Sequence, residues 1–194
     1  MRASPIGICL GAYNTSLDDA VIKEIYDSGC NDAAITHGHE VAQHCSGFAA
    51  VLIARLLRGG SPEQAVIDTK NDFPDETLNP LIEKVMEKIS EKPSAEAVES
   101  IGQGWVAEEA VAIAIYCFLV GQQHSLSSKE TLMLSVNHSG DSDSTGSITG
   151  NLLGVYGGTK AIPSELLPDD AEVTQLKYLI SEYGERLITL ERIS

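Results

Sequence analysis

Basic residues are scarce in this chain: 13 Lys and Arg stand against 28 Asp and Glu, a formal net charge of -15 over 194 residues. A surface so charged repels phosphate backbones and disfavours non-specific nucleic-acid binding. Long apolar runs are missing too. No stretch reaches the roughly 18 apolar residues that argue for a membrane span, and the longest, 47–57 and 110–120, are broken or flanked by polar residues. The opening Met1-Arg-Ala-Ser-Pro-Ile-Gly-Ile lacks the apolar core of a secretory signal. The four cysteines at 9, 30, 45 and 117 include no Cys-x-x-Cys spacing. Reduced thiols and a cytoplasmic compartment are therefore expected, with Cys45 and Cys117 as small core residues. Strand alternation, internal repeats and low-complexity linkers are likewise absent.

What the chain does have is helical period. The set Leu17, Ala20, Val21, Ile25 predicts a helix over 17–29, with Ser16 as its N-cap. Residues 40–58 are apolar nearly all round and predict a central, buried helix that ends at Gly59-Gly60. Ser61-Pro-Glu-Gln restarts a helix with Ser61 as cap and Gln64 closing a capping box. Further helices are predicted at about 79–90, at 95–101 behind Ser94, and at 106–120, which is the second buried one. Others follow near 128–137, 144–157 and 172–190. The whole, 1–194, reads as one all-α domain.

The most informative segment is Gly140-Asp-Ser-Asp-Ser-Thr-Gly146, placed just before an apolar helix. Asp141, Asp143 and the Ser144 hydroxyl can converge on one hard cation through oxygen ligands. The same residues can equally be helix caps, which stabilise by about 1 kcal/mol without any metal. A calcium loop of the EF-hand type is excluded, because the twelfth position from Asp141 is Leu152 rather than a glutamate. The trio His37, His39, His44 invites a zinc reading, but no fourth ligand stands near it, and acidic oxygens suit magnesium better than zinc. Trp105 reads as a core or rim aromatic or as a ligand platform. Glu108 and Glu109 read as acids at the positive end of a helix.

Residues 140–157, Gly-Asp-Ser-Asp-Ser-Thr-Gly-x-Ile-x-Gly-x-Leu-x-Gly-x-Tyr-Gly with Gly146, Gly150, Gly154 and Gly157, resemble the second metal-binding segment of the ADP-ribosylglycohydrolases. Three more blocks agree in order. They are Met1-Arg-Ala-Ser-Pro-Ile-Gly, the Ile35-Thr36-His37 turn before an apolar helix, and Gly102-Gln-Gly-Trp-Val-Ala-Glu-Glu with the helix after it. The resemblance implies an all-helical fold around two magnesium ions that hold ADP-ribose while its bond to a modified protein side chain is hydrolysed. It implies Asp141, Asp143 and Ser144 as metal ligands, and His37, Gly104, Trp105 and Gly140 as substrate-binding residues.

No Thr-Asp-Asp segment resembling the family's first metal-binding segment occurs, and Asp18-Asp19 reads as a helix start. The chain therefore resembles the C-terminal two-thirds of such a domain and supplies half of a two-ion site. Activity is expected only with an N-terminal segment from elsewhere or with a second copy, which would also cover apolar faces of 40–58 and 106–120. The alternative is a non-catalytic ADP-ribose-binding or structural module of the same fold. The linkage cleaved stays open: the Asp-Ser-Asp-Ser spelling is nearer to arginine-type relatives, and Ala-Ile-Tyr-Cys-Phe-Leu (114–119) to serine-type ones.

Overall fold

Apolar period and side-chain caps together set where the helices run. The computed structural model describes residues 1–163, 174–175, 178–179 and 181–182. These hold nine α-helices and no strand: α1 Ser4–Tyr13, α2 Asp19–Ala34, α3 Glu40–Leu57, α4 Pro62–Asp72, α5 Leu78–Lys88, α6 Ala95–Ile101, α7 Ala107–Gln123, α8 Ser128–Val136 and α9 Ser142–Gly157. A 3-10 turn, Gly158–Ala161, follows. The expected tail helix over 172–190 falls largely outside the described residues.

The caps explain most starts. Ser61 accepts from the Gln64 amide and Ser94 from the Ala97 amide. Two expectations need correction. Asp18 rather than Ser16 caps α2, accepting from the amides of Ala20 and Val21, while the Ser16 hydroxyl donates to the Asp18 carboxylate. A carboxylate with two lone-pair-rich oxygens outcompetes the hydroxyl for those amides. The Ser61 box is also only half made, since the Gln64 amide group turns outward to Asp68. The complete capping box belongs to α8, between Ser127 and Glu130.

α7 is the axis of the molecule, with every residue from Ala110 to Gly121 buried. Its side chains pack with those of α3, α5, α6, α8 and α9 in the larger core. α3 also closes a second core with α1 and α2, around Ile25, Ala50, Val51 and Ala54. Phe48, Ile113, Tyr116 and Phe118 are all fully buried, and each such aromatic or aliphatic side chain contributes roughly 1.5–3 kcal/mol of transfer free energy. The apolar faces of 40–58 and 106–120 are thus covered from within the chain, contrary to expectation. No residue of 41–57 is exposed, and in 106–120 only Val106 is. Part of the cover on α3 comes from α2 and part from α1, whose run of Ser-Pro-Ile-Gly-Ile-Cys-Leu carries no helical period to announce it.

His44 settles the zinc question. Its ring is buried between α2 and α3, where Nδ1 pairs with the Tyr26 hydroxyl at 2.8 Å, while His37 and His39 are exposed. All four thiols are free, Cys45 and Cys117 buried as expected. No helix among the described residues is long and apolar enough to cross a membrane.

Candidate functional site

The acidic turn joins the end of α8 to the start of α9. Asp141 occupies the N-cap position of α9, and its carboxylate faces the Ser144 amide, the third of the helix, without closing a full capping hydrogen bond. The turn is held chiefly by its main chain and by Thr145. The Asp141 carboxyl is held below the usual carboxylate range, first by a hydrogen bond with the Asp143 side chain, then by the Ser144 hydroxyl and amide, against the opposing effect of burial. The three oxygens singled out in the sequence therefore meet. Asp143 is exposed, and Asp141 and Ser144 are half-buried.

Beneath the turn lies a buried polar anchor. The Gly140 amide donates to His138 Nδ1 at 3.1 Å, which makes Nδ1 an acceptor and leaves the ring proton on Nε2. Nε2 then donates to Thr145 Oγ1 at 3.0 Å, and Thr145 Oγ1 donates to the Ser135 carbonyl at 2.6 Å. Thr145 is fully buried, so every one of these bonds matters to the register of the turn.

The loop 102–106, between α6 and α7, is laid against this turn. The Asp141 amide donates to the Gln103 carbonyl at 2.8 Å. Gly140 is pressed so closely on that carbonyl that a methyl group there would overlap it. Gly104 adopts φ +79°, a left-handed conformation that glycine takes without strain, and packs on Thr145 and Asp141. On the other side, Glu109 Oε2 accepts from the amides of both Gln103 and Gly104, each at 3.0 Å. Glu99 adds a bond to the Ser139 amide at 3.1 Å. Trp105 emerges from this braced loop with 67% of its surface exposed, which rules out the core reading and makes it a rim aromatic.

His37 sits in a different turn, between α2 and α3, and does not cap the helix that follows. Its carbonyl accepts from the Gln43 side chain, and its Nδ1 pairs with Thr36 Oγ1 at 2.8 Å. Arg2 reaches the same turn, donating to Thr36 Oγ1 and to the Asp32 carbonyl. Asn151 of α9 donates to the Met1 carbonyl at 3.4 Å, so the N-terminal residues touch both the Thr-His turn and the helix that carries the acidic one. No hydrogen bond links His37 to residues 138–145.

Gly104, Trp105, Gly140, Asp141, Asp143 and Ser144 thus gather in one place, and His37, in the turn between α2 and α3, makes no hydrogen bond to them. Sequence reasoning missed Glu99, His138 and Thr145, and took Glu109 only as a helix-end acid. The signal for Glu109 was present: Gly102 stands where a side chain would collide with the Glu109 carboxyl. Among the described residues no group of three or more His, Cys, Asp and Glu is disposed to hold a metal ion. The site offers two carboxylates and a hydroxyl, oxygen donors of the kind a hard cation takes. Compared with known families, residues 1–192 match the profile described as ADP-ribosylglycohydrolase. No curated protein gives a match.

Proposed function

Because the chain belongs to the ADP-ribosylglycohydrolase family, we propose that it is a magnesium-dependent hydrolase removing ADP-ribose from a modified protein side chain or a related ADP-ribosyl compound. The observation that carries the reading is the meeting of Asp141, Asp143 and Ser144 at the start of α9. Two adjacent carboxylates repel one another, a divalent cation between them relieves that repulsion, and oxygen ligands of this kind suit magnesium.

In this reading Asp141, Asp143 and Ser144 hold metal. When bound, the ions supply charge that polarises the ribose hydroxyls and prepares a water for attack at the anomeric carbon. The chain's own residues then shape the approach. Gly104 and Gly140 keep the wall of the site free of side chains where loop and turn meet. Trp105 offers an exposed indole face at the rim, and His37 binds the diphosphate-ribose portion from its neighbouring turn. Magnesium keeps its waters unless several oxygens are prearranged. The remaining ligands therefore come from a complementary segment bearing Thr-Asp-Asp, or from a second copy of the chain. The same shortage of ligands favours the second reading, a non-catalytic module that binds ADP-ribose without turning it over.

The two readings are separated by one assay. The chain is incubated with magnesium and an ADP-ribosylated protein, alone and with a segment bearing Thr-Asp-Asp, and free ADP-ribose is measured. The hydrolase reading expects release with the segment and none from Asp143→Ala; equal release by the variant sinks it. The module reading expects calorimetric binding of ADP-ribose with no release, and no heat at millimolar ligand counts against it.

A further inference from the structure

We propose that Glu109 is a positioning residue of the site, acting on Asp141 through the single peptide unit that joins Gln103 to Gly104. Glu109 Oε2 accepts from the Gly104 amide at 3.0 Å. The carbonyl of that same peptide unit, on Gln103, accepts from the Asp141 amide at 2.8 Å. A carboxylate charge therefore pulls on one end of a peptide dipole whose other end grips the backbone of a proposed metal ligand. Hydrogen bonds in such a chain polarise one another, and a charged acceptor strengthens the first link. The Gln103 amide, also at 3.0 Å from Oε2, doubles the grip and fixes the loop from which Trp105 projects.

Three further observations favour this role over simple helix capping. Glu109 is the third residue of α7, where Glu108 already supplies first-turn acid. Its carboxylate joins no ion pair among the described residues and is spent on the loop amides. Gly102 provides the space, since a Cβ there would lie 2.6 Å from the Glu109 carboxyl carbon. A side chain shaped by its neighbours to hold two amides of another segment is a brace.

The test uses Trp105, the sole tryptophan of the chain, and the Asp141 backbone amide as reporters. Glu109→Ala should lower the fluorescence anisotropy of Trp105 and move the Asp141 amide proton upfield, with the far-UV helical signal retained. Glu109→Gln keeps one carbonyl oxygen able to accept both amides but loses the charge, so both readouts should fall between those of wild type and alanine. Unchanged anisotropy and amide shift in Glu109→Ala would overturn the proposal. So would a glutamine variant no better than alanine. Naming ADP-ribose as the ligand rests on the function proposed above. There, Glu109→Ala is expected to weaken ADP-ribose binding by about tenfold in the presence of magnesium, the scale of one hydrogen bond to a charged group. A wild type that binds no ADP-ribose would defeat the functional reading, while the two spectroscopic readouts still decide the role of Glu109.

Discussion

Gly140 and Gln103 touch backbone to backbone, with the Gln103 carbonyl lying where any side chain on Gly140 would begin. The next residue, Asp141, donates its amide to that same carbonyl at 2.8 Å. Residues 37 positions apart are thus locked into one wall, and the lock needs a glycine. Gly140→Ala must push the two segments apart, breaking the Asp141 bond. The expected cost is about 1–3 kcal/mol, that of overfilling a packed contact. Urea denaturation measures the stability, and the Asp141 amide in a nitrogen–proton spectrum should shift. A variant as stable as wild type with an unmoved Asp141 amide would show that the contact is loose.

Asp141 and Asp18 both stand at helix N-cap positions, but only Asp18 closes a full pair of capping bonds, to the amides of Ala20 and Val21. Asp18→Ala should therefore cost about 1 kcal/mol of stability, the usual loss of a cap. Asp141→Ala should cost clearly less, and removing one of two adjacent carboxylates offsets part of that. If the two substitutions cost the same, Asp141 is a cap after all and its claim to be free for a cation fails. Thermal unfolding of the two variants without metal is sufficient to decide.

The helices were legible in sequence wherever an apolar stripe of period 3.6 met a polar face, as in α2 and α5. They were also legible where a run was apolar all round and too long for a strand, as in α3 and α7. α1 was not, because Ser4–Tyr13 has neither a polar face nor a charge, and its helix is fixed by packing on α3. The site divides the same way. Asp141, Asp143 and Ser144 are neighbours in the chain, so their chemistry could be read directly. Glu99 reaches Ser139 across 40 positions, and the Gln103 carbonyl meets Asp141 across 38. Such pairings exist only once α6, α7 and α9 have docked, and no spacing rule announces them. Part of the mistaken expectation of bare apolar faces has the same origin, since α1, which shares the cover of α3 with α2, is a helix without a pattern.

His44 gives the molecule a pH dependence of known sign. Burial pushes its imidazolium below the ordinary value of 6.5, with Asp75 opposing in part. A folded-state value below the unfolded one means that the unfolded chain binds more protons in the interval between them. The stability that neutral His44 provides is then fully present above about 6.5 and is lost as pH falls from there toward the folded value. Thermal midpoints from pH 7 to 5 should fall more steeply for wild type than for His44→Gln, which keeps a polar partner for the Tyr26 hydroxyl but does not titrate. Parallel slopes would remove His44 as the cause.

Thr145 is where the fold and the site depend on one hydroxyl. Its Oγ1 donates to the Ser135 carbonyl at 2.6 Å and receives His138 Nε2 at 3.0 Å, in a position with no solvent access. Thr145→Val preserves shape and removes the oxygen. The Ser135 carbonyl and the His138 N–H then lose their partner, at about 1–3 kcal/mol for a buried polar group left unpaired. Thr145→Ser keeps the oxygen and loses only a methyl group, so it should cost less than valine even though it is the smaller side chain. That ordering is opposite to the one packing alone would give, because a core position that values volume tolerates valine better than serine. Denaturant unfolding of the two variants, with the His138 ring nitrogens followed by NMR, tests it. Valine should free the Nε2 proton from its partner and destabilise the start of α9. If valine instead proves the more stable of the two, the hydroxyl network is incidental, and the acidic turn is held by its backbone contact with Gln103 alone.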